Sequence, residues 1–524
     1  MGSISDEWHV TADALAQRLR PRDDLLVLEA VLETGADAGS PVGEARFSCI
    51  EGPFRRYERR LRWRHEADAV VVTQEIEWQL GIPYWSWLYR PVVGRALRHG
   101  IAAGQRPWWN FPDRLTLHQA RTVATMALFS LVAGFLYGPL TQVLTFASAD
   151  IGNGTSAQQA TIFALVRVGA VLTAVAMFQA DRFGRRRVGL WCFATAIALT
   201  VATAFVPGLG ALTVLQAISR NLALAGLLAV DTICVEELPA GSRAMAAGLG
   251  AMAYGLGSGI VVMSLPLADV GAAGWRLVFG LTIVTAPMAW SASRHLRESG
   301  RFRALPSAPT TGSRSEPGTA AASRPREATR IRGSRFVLLA LLFLLVNVFI
   351  APMSQLQNDY LRADRGFDGL TITVFTILTG TPAAIGVIVG GRIADTRGRR
   401  LALIPGLLAI AVFGAAFFTL SGAAMWVSAL AAAVLGTLTV APLGVLAPEL
   451  FPTARRGSAR GALNVLAVGG SVLGLVVAGF GVDAGGYSLT FVLLALAPLG
   501  AAALALAVPE TGGRELEELN PAER

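Results

Sequence analysis

The sequence predicts an all-α polytopic membrane protein with twelve transmembrane helices in two six-helix halves, preceded by a small α+β domain. Three observations lead to this fold class. Only 15% of the residues are charged and the mean hydropathy is +0.51, whereas soluble domains carry about 25% charged residues. Twelve long apolar segments follow from residue 118 onward. Motifs of the first six segments recur in the last six at a nearly constant separation.

Residues 1–110 precede the apolar segments and are predicted to form a separate cytoplasmic α+β domain. Hydrophobic and polar residues alternate in places between residues 43 and 80, which is typical of antiparallel strands. Residues 82–100 indicate a helix with aromatic residues near one end and arginines near the other, which packs across the sheet or lies on the inner leaflet. Strands closed by a C-terminal helix resemble a shortened helix-grip (START-like) domain.

The twelve apolar segments, which we call spans 1 to 12, are each long enough to cross roughly 30 Å of hydrocarbon as a helix. They cover residues 118–146, 157–180, 189–208, 211–235, 244–267, 274–292, 335–356, 370–394, 401–421, 424–448, 459–480 and 487–508. The first half is predicted to occupy residues 111–300 and the second half residues 335–510. Residues 301–334 are rich in Pro, Ser, Thr, Gly and Arg, which predicts a disordered cytoplasmic linker. Residues 511–524 are predicted to form a cytoplasmic tail.

The distribution of arginine predicts how the chain is oriented. Ten arginines lie between residues 293 and 335, and others cluster after spans 2 and 8, whereas the loops after spans 1, 3, 9 and 11 carry none. Because cytoplasmic loops of membrane proteins are enriched in basic residues, both termini are predicted to be cytoplasmic. We expect a multi-pass protein of the plasma (inner) membrane, and we expect it to be a monomer.

The composition excludes several classes of function. All 45 basic residues are arginine, so the chain has neither the lysine of a phosphate-binding loop nor a Schiff-base lysine. The five His and three Cys are scattered, which predicts no metal site and no disulfide framework. The net charge of +9 comes from arginines in short loops, as membrane orientation requires, so nucleic acid is not an expected partner. Residues 1–110 offer no recognisable nucleophile–base pair, and neither an enzyme nor a cofactor is predicted.

Three motifs reveal an internal duplication. DRFGRRR at Asp181 recurs as DTRGRR at Asp395, and EELPAGSRAMAAG at Glu236 recurs as ELFPTARRGSARG at Glu449. GPLTQ at residues 138–142 recurs as APMSQ at residues 351–355. The separation between the two copies is nearly identical for all three motifs. Convergent loop chemistry could explain one match but not this common separation, so the chain is predicted to be a doubled six-helix unit.

These motifs resemble the major facilitator superfamily, whose signature after the second helix is Gly-x-x-x-Asp-Arg-x-Gly-Arg-Arg. The first copy has Met177 in place of the leading Gly and then matches, whereas the second copy has Gly391 there. ELFPTARRG, RESGRF at 297–302 and VPETGGRELEEL at 508–519 resemble the sugar-porter and metabolite–proton symporter branch. The Gln-Gln signature of sugar transporters in span 7 is missing. The resemblance covers residues 118–519 and implies secondary transport by alternating access.

The resemblance also implies a conformational latch at the cytoplasmic ends of the helices. Asp181 and Asp395 can accept hydrogen bonds from helix N-termini or from arginines across the bundle, and such contacts can hold one conformation and break in the other. Alternatively, the arginines only orient the chain by their charge. The predicted latch residues are Asp181, Arg182, Gly184, Arg185, Arg186, Gly391, Asp395, Gly398, Arg399 and Arg400, with Glu236, Arg243, Glu449 and Arg456 as a second set.

The solute site is expected near the bilayer midplane between the halves. Arg167 in span 2 and Arg220 in span 4 lie about ten residues in from the outer ends, where a charge is costly. They predict an anionic substrate, unless they are structural arginines bonded to carbonyls. Pro139 and Pro352 each free a backbone carbonyl in a span, and the polar residues that follow them either bind the solute or repair the broken helix hydrogen bonds. These further candidates are Thr141, Gln142, Ser354 and Gln355.

Asp231 is the only carboxylate within spans 1 to 5. It lies about 16 Å from Arg220 along the helix axis, too far to pair with it, and is the candidate for proton coupling. The leading hypothesis is a secondary transporter that moves a small polar, anionic organic solute, with proton coupling left open. The alternatives are an exporter of drugs or natural products, or a membrane receptor that senses a ligand through residues 1–110.

Overall fold

The computed structural model describes residues 2–35, 40–66, 69–101, 107, 109–152, 162–163, 165–167, 169–264, 267–268, 271–304, 333–367 and 369–519. Two compact units make up the chain, residues 1–125 and residues 126–524, and each is described by itself. The predicted linker falls largely on residues 305–332, which lie outside the described residues.

The first unit contains a five-stranded antiparallel sheet, which confirms the strands predicted from the alternating pattern. Its strands are β1 (Gly2–Val10), β2 (Leu28–Thr34), β3 (Val42–Glu51), β4 (Phe54–His65) and β5 (Val70–Leu80). The strand order is β1-β5-β4-β3-β2. Helix α1 (Ala12–Arg18) follows β1. Helix α2 (Ser86–His99) follows β5 and packs Val93 and Leu97 into the same hydrophobic cluster as Trp78.

One buried ion pair lies inside this unit. Arg59 on β4 and Glu29 on β2 are both almost fully buried, and the distance from Arg59 Nη2 to Glu29 Oε2 is 2.6 Å. Tyr57 donates its hydroxyl to Glu29 Oε1 at 2.5 Å. A buried charge is tolerated when its hydrogen bonds are satisfied in this way. The pair therefore links β2 to β4 inside the core.

The second unit is helical throughout its regular structure. The helices of its first half are α3 (Leu117–Ile151), which the unit boundary divides, α4 (Ala170–Phe183), α5 (Arg185–Ala202), α6 (Leu209–Glu237), α7 (Arg243–Met263), α8 (Trp275–Leu281), α9 (Thr285–Ser293) and the short α10 (Gly300–Arg303). A 3-10 turn, Thr282–Val284, joins α8 to α9 within span 6.

The second half repeats this arrangement. Its helices are α11 (Gly333–Asp359), α12 (Gly369–Gly380), α13 (Ala383–Arg397), α14 (Arg399–Thr419), α15 (Gly422–Gly436), α16 (Val440–Leu450), α17 (Arg456–Leu494), α18 (Leu496–Ala505) and α19 (Leu516–Leu519). Gly486, with a φ of 74°, breaks α17 and separates span 11 from span 12.

The described part of the chain contains ten helices that are long and apolar enough to cross a membrane. The remaining two predicted spans, 2 and 6, correspond to α4 and to the pair α8 and α9. A multi-pass helical protein is thereby confirmed. The count of twelve spans stays a prediction.

Glycines bring neighbouring helices into backbone contact. A Cβ atom at Gly257 of α7 would lie 2.0 Å from the carbonyl oxygen of Leu131 on α3, and one at Gly134 would lie 2.0 Å from Tyr254 O. By contrast, Gly255 and Gly259 have open space around the Cβ position. Small residues at membrane-helix contacts allow such close approach, so Gly257 and Gly134 fix the distance between α3 and α7.

Candidate functional site

Two aspartates join the halves of the helical bundle at its arginine-rich end. Asp181, at the end of α4, accepts hydrogen bonds from the backbone nitrogens of Gly457 and Ser458 at 3.0 and 2.7 Å. Both donors lie in the first turn of α17, in the opposite half. The first N–H groups of a helix have no partner within the helix and carry partial positive charge. Each aspartate can therefore hold a helix N-terminus of the other half.

Asp395 makes the equivalent contact in the second copy. Its carboxylate accepts from the backbone nitrogens of Ala244 and Met245, in the first turn of α7, at 3.0 and 2.7 Å. Ala244 and Met245 precede Gly457 and Ser458 in the sequence by the separation that also relates the two copies of the motifs. The internal duplication thus produces two symmetric contacts between the halves.

Each aspartate belongs to a buried cluster of two carboxylates and two arginines. The first cluster consists of Asp181, Arg185, Glu236 and Arg456, and the second of Asp395, Arg399, Glu449 and Arg243. In the second, Arg399 binds Asp395 Oδ1 at 2.6 Å and Glu449 Oε1 at 2.8 Å. In the first, Arg185 lies 3.3 Å from Asp181 Oδ1 and 3.6 Å from Glu236 Oε1.

The glutamates and arginines of the second predicted set pair across the halves. Glu236 binds Arg456, and Glu449 Oε1 lies 3.8 Å from Arg243 Nη1. All four side chains are essentially inaccessible to solvent. Buried charges in such pairs are costly to separate, so these contacts hold the two halves together at this end.

The two clusters differ in how completely they are bonded. In the second, Thr511 donates its hydroxyl to Glu449 Oε2 at 2.5 Å, and Glu515 lies 3.2 Å from Arg243 Nη2. In the first, several buried polar atoms have no hydrogen-bond partner among the described residues. They are Arg185 Nε and Nη1, Glu236 Oε2, and Arg456 Nε and Nη2.

The signature glycines and a third carboxylate shape the turn before each cluster. Gly184 and Gly398 have φ values of 99° and 112°, which favour glycine. Glu510 accepts from the backbone nitrogens of Arg399 and Arg400 at 2.7 and 3.1 Å. Burial opposes its ionisation, but these N–H donors hold the pKa of Glu510 below its usual range. In the first copy, Glu298 accepts from the backbone nitrogen of Arg186 at 2.9 Å.

Some signature residues lie outside the clusters. Arg182 is exposed, with its guanidinium 5.8 Å from the Phe178 ring. Arg186 and Arg400 donate to carbonyls of their own halves, those of Leu296 and Val508. These three arginines therefore do not connect the two halves through the described hydrogen bonds.

The departure at Met177 has a structural explanation. In the second copy, a Cβ at Gly391 would lie 3.0 Å from the Cα of Met245. In the first copy, the small residues are on the facing helix instead. A Cβ at Gly457 would lie 2.9 Å from Met177 O, and one at Gly461 would lie 3.0 Å from the Met177 Cβ. The methionine is accommodated because α17 supplies the glycines.

A second polar site surrounds Arg220 in the middle of α6. Its guanidinium carbon lies 3.6 Å from the centre of the Tyr137 ring, and Nη2 donates to Thr141 Oγ1 at 3.1 Å. Arg220 is only 4% exposed, and its Nε has no hydrogen-bond partner among the described residues. Thr141 and Arg220, both predicted site residues, are therefore in contact. Tyr137 and its neighbour Tyr254 were not predicted.

Arg167 extends this positive region. It is half-buried and close enough to Arg220 and Tyr137 to interact electrostatically with both. The Tyr254 ring lies 6.2 Å from that of Tyr137. Within the described ranges, no carboxylate forms an ion pair with Arg167 or Arg220. Two cations beside aromatic rings, without a protein counter-ion, suit an organic anion.

The polar residues after the two prolines are not all drawn into this site. The Ser354 hydroxyl donates to Ala351 O of its own helix at 3.0 Å. Pro352 removes the donor to the carbonyl of Val348, so this bond is not the predicted repair. Gln142 and Gln355 make no hydrogen bond to another described residue. The polar residues after Pro139 and those after Pro352 thus differ in the structure, because among these four residues only Thr141 contacts a buried arginine.

Asp231 pairs with an arginine that the sequence reasoning missed. Asp231 Oδ2 lies 3.1 Å from Arg460 Nη2, across the two halves. Arg460 also donates to Leu228 O and Thr232 Oγ1 at 3.1 and 3.2 Å. The available signal was an arginine just inside the apolar span 11. Its partner could not be read from sequence because the two residues are far apart in the chain.

Comparisons with known proteins agree with this architecture. Residues 122–467 and 337–523 match the sequence model of the Major Facilitator Superfamily. A Haemophilus influenzae protein named for metabolite transport is 25% identical over 405 residues, which cover 74% of this chain and 93% of the relative. The cis,cis-muconate transport protein of Acinetobacter baylyi is 27% identical over 322 residues, which cover 60% of this chain and 76% of that protein.

Solved structures share the fold at low sequence identity. The proton:xylose symporter XylE bound to 6-bromo-6-deoxy-D-glucose has a TM-score of 0.64 at 17% identity, covering 78% of this chain and 99% of its own. The human organic anion transporter MFSD10 has a TM-score of 0.60 at 15% identity, with coverages of 74% and 99%. The E. coli fucose:proton symporter FucP has a TM-score of 0.57 at 14% identity, with coverages of 75% and 99%.

Proposed function

Because the chain belongs to the Major Facilitator Superfamily, we propose that it carries a small polar organic anion across the plasma (inner) membrane by alternating access. Membership in this family makes the chain a multi-pass membrane transporter and not an enzyme, as the sequence predicted. The finer statements, on the solute, the coupling ion and the orientation, are our proposals.

The single observation that carries the anion is the environment of Arg220. A buried guanidinium without a protein carboxylate is costly, and a bound anion would relieve that cost. The Tyr137 ring covers one face of the Arg220 guanidinium. The Nε of Arg220 has no partner among the described residues and is available for a hydrogen bond to the solute. A relative named for cis,cis-muconate transport, which would carry an organic anion, supports this reading.

The two charged clusters serve as the latch in this proposal. They close the arginine-rich end, which the distribution of arginine assigns to the cytoplasm. In the alternate conformation, Asp181 and Asp395 would release the helix N-termini of the opposite halves. Both chain termini, the domain at residues 1–110 and the linker at 301–334 would then be cytoplasmic, and the protein would be a monomer.

Proton coupling is proposed through the pair of Asp231 and Arg460. The pair spans the two halves, so it separates when they rock apart. An aspartate that loses its arginine in a low-dielectric interior takes up a proton more readily. Structural neighbours named as proton symporters are compatible with such coupling.

We expect Arg220→Gln to weaken binding of cis,cis-muconate by about 2–4 kcal/mol, because a charge-assisted contact in a buried site is lost. Arg220→Lys should weaken it less, since it keeps the charge but loses the planar fork. Arg167→Gln should weaken it in the same direction. Binding to purified protein and uptake into proteoliposomes, with xylose as the neutral probe, provide the measurement.

Arg294→Gln is the matched control, because Arg294 is an exposed arginine at the end of the first half. It should leave binding unchanged. Normal muconate binding in both the Arg167→Gln and the Arg220→Gln variants would show that these arginines are structural. Preference for xylose over muconate in the unmodified protein would overturn the anion assignment directly.

A further inference from the structure

A second candidate site lies entirely within the first unit. A cavity of about 720 Å³ lies between the edge strand β1 and helix α2. Residues Gly2, Ser3 and Ile4 and the ring of Trp78 line one side, and one face of α2 lines the other. Cavities that bind small molecules typically measure about 300–1,000 Å³. The volume therefore suits a ligand of one or two rings.

The helix side of this cavity is strongly basic. Arg90, Arg95, Arg98 and His99 line it, and none of the lining residues is acidic. Arg98 reaches Asp6 at 3.4 Å, just beyond the cavity wall. The guanidinium of Arg95 forms no ion pair or hydrogen bond with another described residue. Arg95 and Arg98 are three residues apart on α2 and are therefore neighbours on its surface, and Arg90 lines the same cavity.

Trp78 contributes an aromatic ring to the wall of the same cavity. It is 4% exposed, and its indole nitrogen is buried without a hydrogen-bond partner among the described residues. Gly2 packs closely against the indole, because a Cβ at Gly2 would lie 2.6 Å from the ring. Trp87, 71% exposed, adds an aromatic surface.

We propose that this cavity binds a small aromatic or conjugated carboxylate. The arginines supply planar forks that match a carboxylate. Trp87 offers a ring for stacking against the apolar body of the ligand. A free phosphate would use the charges but not the tryptophans. The basic face of α2 beside the rings of Trp78 and Trp87 favours a small aromatic anion over a lipid surface.

The test uses the full chain in detergent, in an Arg220→Gln background that weakens the proposed transport site. Calorimetric titration with 2-naphthoate should show binding. In that background, Arg95→Gln and Trp87→Ala, both at exposed positions, should each weaken it by roughly tenfold or more. Arg64→Gln, an exposed arginine on β4 outside the cavity, is the matched control and should bind normally. This site is independent of the transport proposal, because its variants lie in a different unit.

Three results would overturn the proposal. The first is no binding of 2-naphthoate at millimolar concentration. The second is an affinity that Arg95→Gln and Trp87→Ala leave unchanged, or that Arg64→Gln weakens equally. The third is preferential binding of inorganic phosphate or of phosphatidylglycerol vesicles, which would assign the basic face to a phosphate group. Loss of muconate uptake in Arg220→Gln with intact naphthoate binding would separate the two sites.

Discussion

The Asp395 carboxylate accepts three hydrogen bonds, of which two link the two halves and one holds the carboxylate within its own half. Two come from backbone nitrogens at the start of α7, and the third comes from Arg399. The backbone donors require an acceptor at each carboxylate oxygen. An amide side chain of the same shape would turn an N–H group toward one of these donors. The charge, as well as the shape, of Asp395 is therefore needed for this contact.

We predict that Asp395→Asn slows transport by about tenfold or more while leaving muconate binding unchanged, because it removes charge-assisted bonds that form in one conformation only. Initial uptake rates and equilibrium binding measure the two effects separately. Thr396→Ala is the control, since among the described residues the Thr396 hydroxyl bonds to Arg392 O within its own helix. Normal turnover at normal protein levels would contradict the latch.

Helix packing in the first half depends on particular glycines of α7. Gly257 faces the backbone of α3, whereas Gly259, two residues later, faces open space. Both positions lie within the same helix. Comparing an alanine substitution at Gly257 with one at Gly259 therefore separates the effect of close packing from the effect of helix propensity. The sequence pattern alone does not distinguish them.

Gly257→Ala should therefore lower the stability of the solubilised protein by about 1–3 kcal/mol, because the new methyl group overlaps the Leu131 carbonyl. Gly259→Ala should be neutral or slightly stabilising, since alanine is the better helix former. Thermal unfolding in detergent provides the comparison. Equal melting temperatures for the two variants would show that α7 is not in close backbone contact with α3 at Gly257.

The segments that follow the sixth helix of each half differ in one contact. After the second half, Thr511 donates to Glu449. Ser299 occupies the equivalent place after the first half, but its hydroxyl accepts from Phe302 N of its own short helix. The C-terminal segment thus reinforces the second cluster, and the first cluster retains unpartnered polar atoms.

We expect Thr511→Val to open the arginine-rich end more often, whereas Ser299→Ala should change the opening little. Spin labels at Arg187→Cys and Arg397→Cys, in a chain whose native cysteines are replaced, report the distance between the halves. A larger population of long distances in Thr511→Val supports the prediction. The same increase in Ser299→Ala would mean that only general stability had changed.

The distribution of arginine predicts the orientation of the whole molecule in the membrane. We predict that Ser40→Cys is protected from an impermeant maleimide in intact cells and becomes labelled after permeabilisation. Gly208→Cys, between α5 and α6, should label from outside and serves as the control. Native Cys49 gives little background, because burial raises the pKa of its thiol to about 11 and leaves little thiolate at neutral pH. Labelling of Ser40→Cys from outside would reverse the orientation.

The sequence by itself determined the membrane fold, the duplication and the identity of the charged residues. Apolar length decides which segments can span a bilayer, and this property is local. The nearly constant separation of the repeated motifs makes Asp181 and Asp395 equivalent positions in the two halves. Depth along a helix is also local, so the sequence predicts that Arg220 lies near the middle of the membrane.

Only the tertiary structure decided which of these residues meet. Glu236 pairs with Arg456, and Asp231 with Arg460, because opposite halves of the bundle bring together residues that are distant in sequence. The aromatic partner of Arg220 and the basic cavity of the first unit likewise depend on how helices and strands pack. Contacts of this kind depend on three-dimensional distance, whereas a single sequence records only the order of residues and their local periodicity.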